Sequence, residues 1–358
     1  PRSTGRGDVP RPVAAQPNSP VTIEFVPRPA IAAYRRWARA QGIEHVAARM
    51  LADVVAVAGE ANQIQVQLHN TRQEPVAGEV QFLVAKDWHA RPAARKYQLK
   101  PRETRIVHFD LTPPASALAD APLSATTQVG GIREKAIAKA HPVPAVKVAR
   151  LKSPPALDGS NSGWAGLATH DIPPTNLVQG RVKDAADSSA RFRLAYDDKE
   201  LFIDVEVSDD VVVSNIAPND IRAHWRSDSV EICIDPTGGA ENTLGCFKVG
   251  IFPFDTTGKV RAARDADANQ GPIEKTAPAT RLVSKRTPTG YRIQAAIPFS
   301  EIGVAAAKGK RLGFNLIIYD GDKRDAAIGE NINKSRIAWS PRPGVQGQPE
   351  DWGRIDLE

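Results

Sequence analysis

Apolar residues recur at every second position along much of this chain. Ile64, Val66 and Leu68 alternate with Gln63, Gln65 and Gln67, and Val80, Phe82 and Val84 resume the alternation after a turn at Asn70-Thr71-Arg72. Tyr97-Gln98-Leu99-Lys100-Pro101 leads into a further strand over Arg105–Leu111. Successive side chains of a strand point to opposite faces, so such alternation predicts strands with one buried face. Short strands with turn signals between them predict a sandwich over residues 44–150. Ahead of it, within residues 21–43, Val21–Val26 reads as a strand. Ala30–Gln41 reads as a short helix with Ile31, Tyr34 and Trp37 on one side, stopped by Gly42. Trp37 is expected to pack and to dock this helix on the next domain. Residues 1–20 are rich in Pro, Gly, Arg and Ser, have little to bury, and are expected to be extended or mobile. Arg6-Gly7-Asp8 within them spells an adhesion tripeptide, a sequence short enough to arise by chance. Ala145–Pro155 is strand-like and then proline-marked, which places a domain boundary near Ser153-Pro154-Pro155.

The second half, residues 156–358, carries a denser pattern. Leu157-Asp158-Gly159 and Trp164 open it. Arg191–Asp198 and Leu201–Asp209 read as strand, Asp-Asp turn, strand: a hairpin with apolar residues alternating on one face. Trp225, the strand Asp228–Asp235 and Phe247-Lys248-Val249 follow. Further on come Gly290–Pro298, Gly313-Phe314-Asn315, Tyr319-Asp320, Ile337–Ser340 and Trp352-Gly353. This ordered series resembles the family 9 carbohydrate-binding modules, from Leu157 to the end of the chain. The resemblance implies a sandwich of two antiparallel sheets that binds sugar at one end or face and commonly holds structural calcium. Residues 44–150 resemble the immunoglobulin-like modules of bacterial polysaccharide enzymes, which usually act as spacers. The expected fold class is therefore all-β: an immunoglobulin-like sandwich, then a larger antiparallel, jelly-roll-like β-sandwich, with a short N-terminal helix.

Sugars offer hydroxyls and flat C–H faces, so a site for them needs an aromatic platform and a few orienting polar groups. The resemblance transfers Trp225 as the platform, Glu231 as an acceptor of hydroxyl hydrogen bonds and Lys248 as a donor. Charge-assisted bonds of this kind are the stronger ones. The same residues also fit a plain structural role, with Trp225 as a plug and Glu231–Lys248 as a cross-strand pair worth ~0.2–1 kcal/mol. Two departures from the family stand out. The loop Ser340–Asp351 lacks the second aromatic that would complete a sugar sandwich; Gln346 and Gln348 there offer hydrogen bonds but no stacking. Losing that stacking face weakens binding by about 1 kcal/mol or more. Gln294 stands where relatives often carry glutamate. Trp164, Trp339 and Trp352 read as core or edge residues.

Asp197-Asp198, Asp209-Asp210 and Asp320-Gly321-Asp322 each offer oxygens to calcium, which takes six to eight, or simply form turns. Cys233 shares strand parity with Glu231, and Cys246 with Lys248. Both thiols are therefore expected on one side of neighbouring strands. They form a disulfide if their Cα atoms lie within about 7 Å, or stay as two buried thiols.

Composition narrows these readings. The 358 residues suit two domains, and the 29 prolines suit a turn-rich all-β chain. The 47 basic and 41 acidic residues give +6 without a run of like charges. Arg35-Arg36 alone makes no nucleic-acid footprint; the basic excess suits either anionic polymers or an ordinary solvated surface. No apolar stretch is long enough to span a membrane. The chain begins at Pro1, read as the interior of a precursor that has room for a covalently linked upstream domain. Nucleophile elbow, HExxH and phosphate-loop motifs are missing. Asp228 and Glu231 are three apart on one strand and point to opposite faces, so they do not form a glycosidase pair. The only methionine, Met50, lies outside residues 156–358, which argues against methionine-ligated haem there. The expected function is non-catalytic binding of a carbohydrate polymer or oligosaccharide by an extracellular, cell-surface or periplasmic protein. The alternatives are a structural or surface-assembly protein with a degenerate sugar site, and the accessory C-terminal part of an enzyme whose catalytic domain lies upstream.

Overall fold

The computed structural model describes residues 18–47, 52–264 and 279–358. Arg6-Gly7-Asp8 and Met50 lie outside the described residues. The chain divides into two compact units between Val143 and Pro144. Among the described residues no helix is long and apolar enough to cross a membrane.

The first unit carries β1 (Val21–Phe25), α1 (Pro29–Ala40), α2 (Glu44–Ala47), β2 (Ala52–Val57), β3 (Asn62–Asn70) and β4 (Val76–Leu83). It continues with β5 (His89–Arg91), β6 (Ala94–Leu99), β7 (Thr104–Thr112), β8 (Ala121–Val129) and β9 (Ile132–Val143). They form two sheets, β1-β3-β7-β5 and β2-β9-β8-β4-β6. Ile64, Val66 and Leu68 enter the core with Phe82, Leu99 and Phe109, while the glutamines between them stay at the surface. Pro29 opens α1, where a missing N–H costs nothing. Trp37 does not pack as expected: it is 52% exposed, its ring beside Tyr34. Among the helix residues whose burial is described, the fully buried one is Ala38, one position on, so the inward stripe passes beside the indole.

The second unit carries β10 (Ala145–Arg150), β11 (His170–Ile172), β12 (Leu177–Gly180), β13 (Ser189–Tyr196), β14 (Glu200–Ser208) and β15 (Ser229–Asp235). Then follow β16 (Phe247–Phe252), β17 (Arg261–Arg264), β18 (Arg281–Thr287), β19 (Gly290–Pro298), α3 (Phe299–Ile302), β20 (Arg311–Asp320), β21 (Ser335–Ala338) and β22 (Gly353–Leu357). One layer runs β17-β16-β15-β20, with β22 and β21 sharing the far side of β20 and β12 beyond β21. The other runs β13-β14-β19-β18, with β11 on the edge of β13. β10 pairs in parallel with β22 through Ala145–Val148 and with β13 through Ala149–Arg150, so it crosses between the layers. That pairing is why the second unit begins at Pro144, ahead of Ser153-Pro154-Pro155. The core between the layers holds Val230, Ile232, Val249 and Phe314 against Phe192, Ile203, Val205 and Ile293. Each such burial stabilises by ~1.5–3 kcal/mol. Trp164, Trp339 and Trp352 are buried, as the sequence suggests.

The outward face of the β13-β14-β19-β18 layer explains Gln294. Asp204, 1% exposed, accepts hydrogen bonds from Arg292, Arg193 and Gln294. The Gln294 Oε1 accepts from the Asp158 and Gly159 amides, and its Nε2 donates to the Ser160 carbonyl. This amide pins the opening Leu157-Asp158-Gly159 segment to the sheet. A glutamate could not donate, and would place a second negative charge beside Asp204.

Candidate functional site

The site lies on the outward face of the other layer. β15 alternates: Val230, Ile232 and Ile234 enter the core, so Ser229, Glu231, Cys233 and Asp235 point away from it. Glu231 lies opposite Gly250 on β16 and Ile317 on β20, while Ser229 lies opposite Tyr319 and Cys233 opposite Lys248. Lys248 and Tyr319 thus flank Glu231 diagonally on one face. The Lys248 Nζ lies 3.0 Å from Glu231 Oε1, and the Tyr319 hydroxyl donates to Oε2 at 2.6 Å. His224 Nε2 comes to 3.3 Å of the same Oε2. Glu231 and Lys248 have no exposed surface. Burial acts to raise the Glu231 carboxyl. His224 and Lys248, with the hydrogen bonds from His224 and Tyr319, outweigh it and hold the carboxyl well below the usual carboxylate range.

Gly250 makes room for this nest. A Cβ there would stand 2.1 Å from His224 Cγ, so only glycine lets the imidazole lie on β16. His224, Trp225 and Arg226 form a single 3-10 turn entered through Ala223 in the left-handed region at φ +56°. The Ser229 hydroxyl donates to the His224 carbonyl, and Arg226 pairs with Asp220 while donating to the carbonyls of Gly329 and Arg222. The turn is therefore fixed from both sides. On it, Trp225 is 39% exposed, edge-on to His224 with ring centroids 5.6 Å apart. Every other tryptophan of this unit is buried.

The sequence-predicted residues thus separate into two tiers. Trp225 stands at the surface. Glu231 and Lys248, expected to meet the sugar, instead form a sealed ion pair beneath the imidazole that carries the indole. Alternation fixes which face a side chain takes but not what covers that face; here the loop holding His224 does. Gln346 is half-buried on a 3-10 turn, Val345–Gly347, whose Val345 packs with Cys233 and Trp352 towards the other end of β15. His224 and Tyr319 went unnoticed in the sequence. The available signals were the position of His224 beside Trp225 and the outward parity of Tyr319 on β20.

The disulfide is not formed: Cys233 and Cys246 are buried in one cluster but unbonded to each other. Lys248 stands opposite Cys233, and continuing that register puts Cys246 opposite Asp235. Diagonal neighbours are about 7–8 Å apart, too far for the ~3.8 Å Cβ separation that a disulfide needs.

A second polar cluster sits at the Trp225 end of the same unit. Asp209, Asp228 and Asp320 are all buried, and one carboxylate oxygen from each lies within 4.8 Å of the others. Asp228 accepts from the amides of Val213 and Gly321, and Asp209 from that of Val211. Asp320 Oδ1 and the Tyr291 hydroxyl are buried with no hydrogen-bond partner. Burial, with the neighbouring acids adding to it, pushes the Asp209 carboxyl up to about 7 and Asp228 well above the usual range. Burial likewise raises Asp320, to about 6. Beside this box Lys334 is bonded to Asp187 and Asp322 and lies 3.4 Å from Asp320. Two of the expected acidic pairs, Asp209-Asp210 and Asp320-Gly321-Asp322, therefore converge, joined by Asp228. The third does not: Asp197 caps its own turn by accepting from the Lys199 and Glu200 amides, and Asp198 pairs with Arg150.

Residues 158–358 match the family described as carbohydrate family 9 binding domain-like. The chain belongs to that family. No curated protein matches it in sequence. Among solved structures, a family 9 carbohydrate-binding module from Caldicellulosiruptor kristjanssonii in complex with glucose is 20% identical, with a TM-score of 0.44 over 60% of this chain and 95% of that one. One from the same organism in complex with cellotriose is 20% identical, with a TM-score of 0.43 over 60% and 93%. A CARDB domain from Pyrococcus furiosus is 12% identical, with a TM-score of 0.22 over 34% and 94%.

Proposed function

We propose that this protein binds a glycan without catalysis, stacking a sugar ring on Trp225. The observation that carries the reading is an indole 39% exposed on a turn that is itself anchored from below, in a unit whose other tryptophans are buried. An indole held at the surface by a polar keel presents an amphipathic face of the kind a sugar ring stacks on. In this reading Glu231 and Lys248 position His224, and through it Trp225, rather than touching the ligand. The Asp209–Asp228–Asp320 box fits calcium: its donors are all hard oxygens, Asp320 Oδ1 lacks a partner, and the Tyr291 hydroxyl adds a further oxygen nearby. A bound calcium there would supply the positive charge these acids lack and tie together the two ends of the 209–228 segment that bears Trp225. Residues 44–150, of which the first unit holds those up to Val143, are read as an immunoglobulin-like spacer. An extracellular, cell-surface or periplasmic location is proposed together with this reading.

Affinity electrophoresis in gels containing soluble polysaccharides tests this. Retardation that disappears in Trp225→Ala supports the reading; equal retardation of both proteins overturns it. A second reading, a structural protein that keeps the sandwich with a degenerate sugar site, is favoured by the burial of Glu231 and Lys248 and by the lack of a second aromatic in the loop 340–351. It predicts no retardation by any glycan.

A further inference from the structure

The outward face that bears the Glu231 nest continues past Tyr319 to Arg336 and Gln179, its cross-strand neighbours on β21 and β12. The Arg336 guanidinium lies over the Tyr319 ring, 4.9 Å from its centroid. Trp225, His224, Tyr319 and Arg336 therefore form one unbroken run of ring contacts, with centroid separations of 5.6 and 5.0 Å along the aromatic part. The run starts at an exposed indole and ends at a cation.

Arg336 differs from five arginines packed into this unit, and from Arg354, whose guanidinium has no carboxylate but donates to the carbonyls of Trp352, Gly353 and Glu350. Arg292 and Arg193 share Asp204, Arg226 holds Asp220, Arg261 holds Asp255 and Arg311 holds Asp356, all within 3.0 Å. Arg336 is half-buried yet has no carboxylate partner among the described residues; its one side-chain bond runs from Nε to the side-chain Oδ1 of Asn333 at 3.3 Å. Its two terminal nitrogens are neither bonded nor buried. A guanidinium keeps its charge, and the Tyr319 ring and the Nε bond hold this one in place while its two terminal nitrogens stay open to solvent. Two parallel N–H donors left open at a fixed position match the paired oxygens of a carboxylate or a sulfate ester. The exposed Gln179 amide beside it extends the same donor row.

We propose that the glycan recognised at this site is anionic, with a uronate carboxylate or a sulfate ester bound by Arg336 while a sugar ring stacks on Trp225. The inference rests on the glycan-binding reading above. The test is calorimetric titration of the full chain at physiological ionic strength with three oligosaccharides of equal length: neutral cellotriose, an oligogalacturonate and a sulfated oligosaccharide. One of the two anionic ligands should bind at least ~10-fold more tightly than the neutral one, a difference of about 1.4 kcal/mol; which of them does so separates carboxylate from sulfate. Arg336→Gln should bring the ratio of anionic to neutral affinity close to one, Arg336→Lys should restore part of it, and Trp225→Ala should abolish binding of all three. Thermal melts confirm that each variant is folded. Equal affinity for neutral and anionic ligands overturns the inference, as does an anionic preference that survives Arg336→Gln; in both cases loss of binding in Trp225→Ala leaves the glycan site standing. Binding unchanged in Trp225→Ala, or no binding to any of the three, overturns the site and the inference together.

Discussion

The second unit buries acid in two places and neutralises it in opposite ways. Around Glu231 the fold supplies its own cation and polar neighbours: Lys248 at 3.0 Å, the His224 ring at 3.3 Å and the Tyr319 hydroxyl at 2.6 Å. Around Asp228 the carboxylates face one another, and Lys334 at the rim is already bonded to Asp187 and Asp322. A buried charge is expensive unless paired. The first nest therefore carries its own counter-charge as folded and acts as scaffold, although its residues are those that the family resemblance assigns to the sugar. The second becomes complete only by taking up protons or a cation. Residue type alone does not separate scaffold from ligand site; whether the local charges already close does.

The largest effect should come from opening the closed nest. Lys248→Met leaves Glu231 buried without its ammonium partner, and breaking such a pair costs about 3–5 kcal/mol. Equilibrium denaturant unfolding measures it. Adding Glu231→Gln to the same chain should recover a large part of the loss, because the uncompensated charge is gone. A loss below about 1 kcal/mol in the single variant would mean that the pair is not the keel. The pH dependence follows from the same pair. The folded Glu231 carboxyl titrates below its unfolded value of about 4.5, so its stabilisation is fully present above that pH. It is lost as the pH falls further, and Glu231→Gln should lack this acid-limb component.

The open box should respond to a cation instead. Calcium at 100 times its dissociation constant stabilises by about 2.7 kcal/mol. Thermal melts with calcium and with chelator should differ accordingly. Asp228→Asn should remove the difference, whereas Lys248→Met should keep it. A calcium shift that vanished in Lys248→Met would break the distinction between the two sites.

Why one site was legible and the other was not has a physical answer. Period-two alternation exposed the strands, the Arg191–Asp209 hairpin and the outward parity of Glu231. The family resemblance, not the alternation, set Trp225 apart from Trp164, Trp339 and Trp352. What the alternation could not convey was cover: the loop that brings His224 down onto Gly250 is irregular and carries no period. Asp209, Asp228 and Asp320 come from three separate loop or strand ends, and only the sheet register brings them together. Asp228 looked like an unproductive partner for Glu231 because it points the other way, and that direction is what places it in the acidic box. The cysteine parity was readable, but their offset by two positions along the strands required the pairing itself.

A smaller effect tests the link between nest and platform. Gly250→Ala would put a methyl group 2.1 Å from His224 Cγ. Overpacking of this kind costs about 1–3 kcal/mol. The imidazole must lift away from Glu231, and Trp225, edge-on to it, should move as well. The expected signature is a changed tryptophan emission together with weaker glycan retardation. Destabilisation with unchanged emission and retardation would uncouple the nest from the platform.

The smallest stability effect belongs to the platform itself. Trp225 is 39% exposed, and the turn beneath it is held by Ser229, Arg226 and the His224 contact rather than by the indole. Surface substitutions away from such anchors change stability by no more than about 0.5 kcal/mol. Trp225→Ala should therefore unfold at nearly the wild-type denaturant concentration while losing its retardation by polysaccharide. This is the reverse of Lys248→Met, which should lose stability first and binding only as a consequence. If Trp225→Ala instead unfolded as easily as Lys248→Met, the indole would belong to the scaffold with Glu231, and the surface end of the ring run would have to be sought at Arg336.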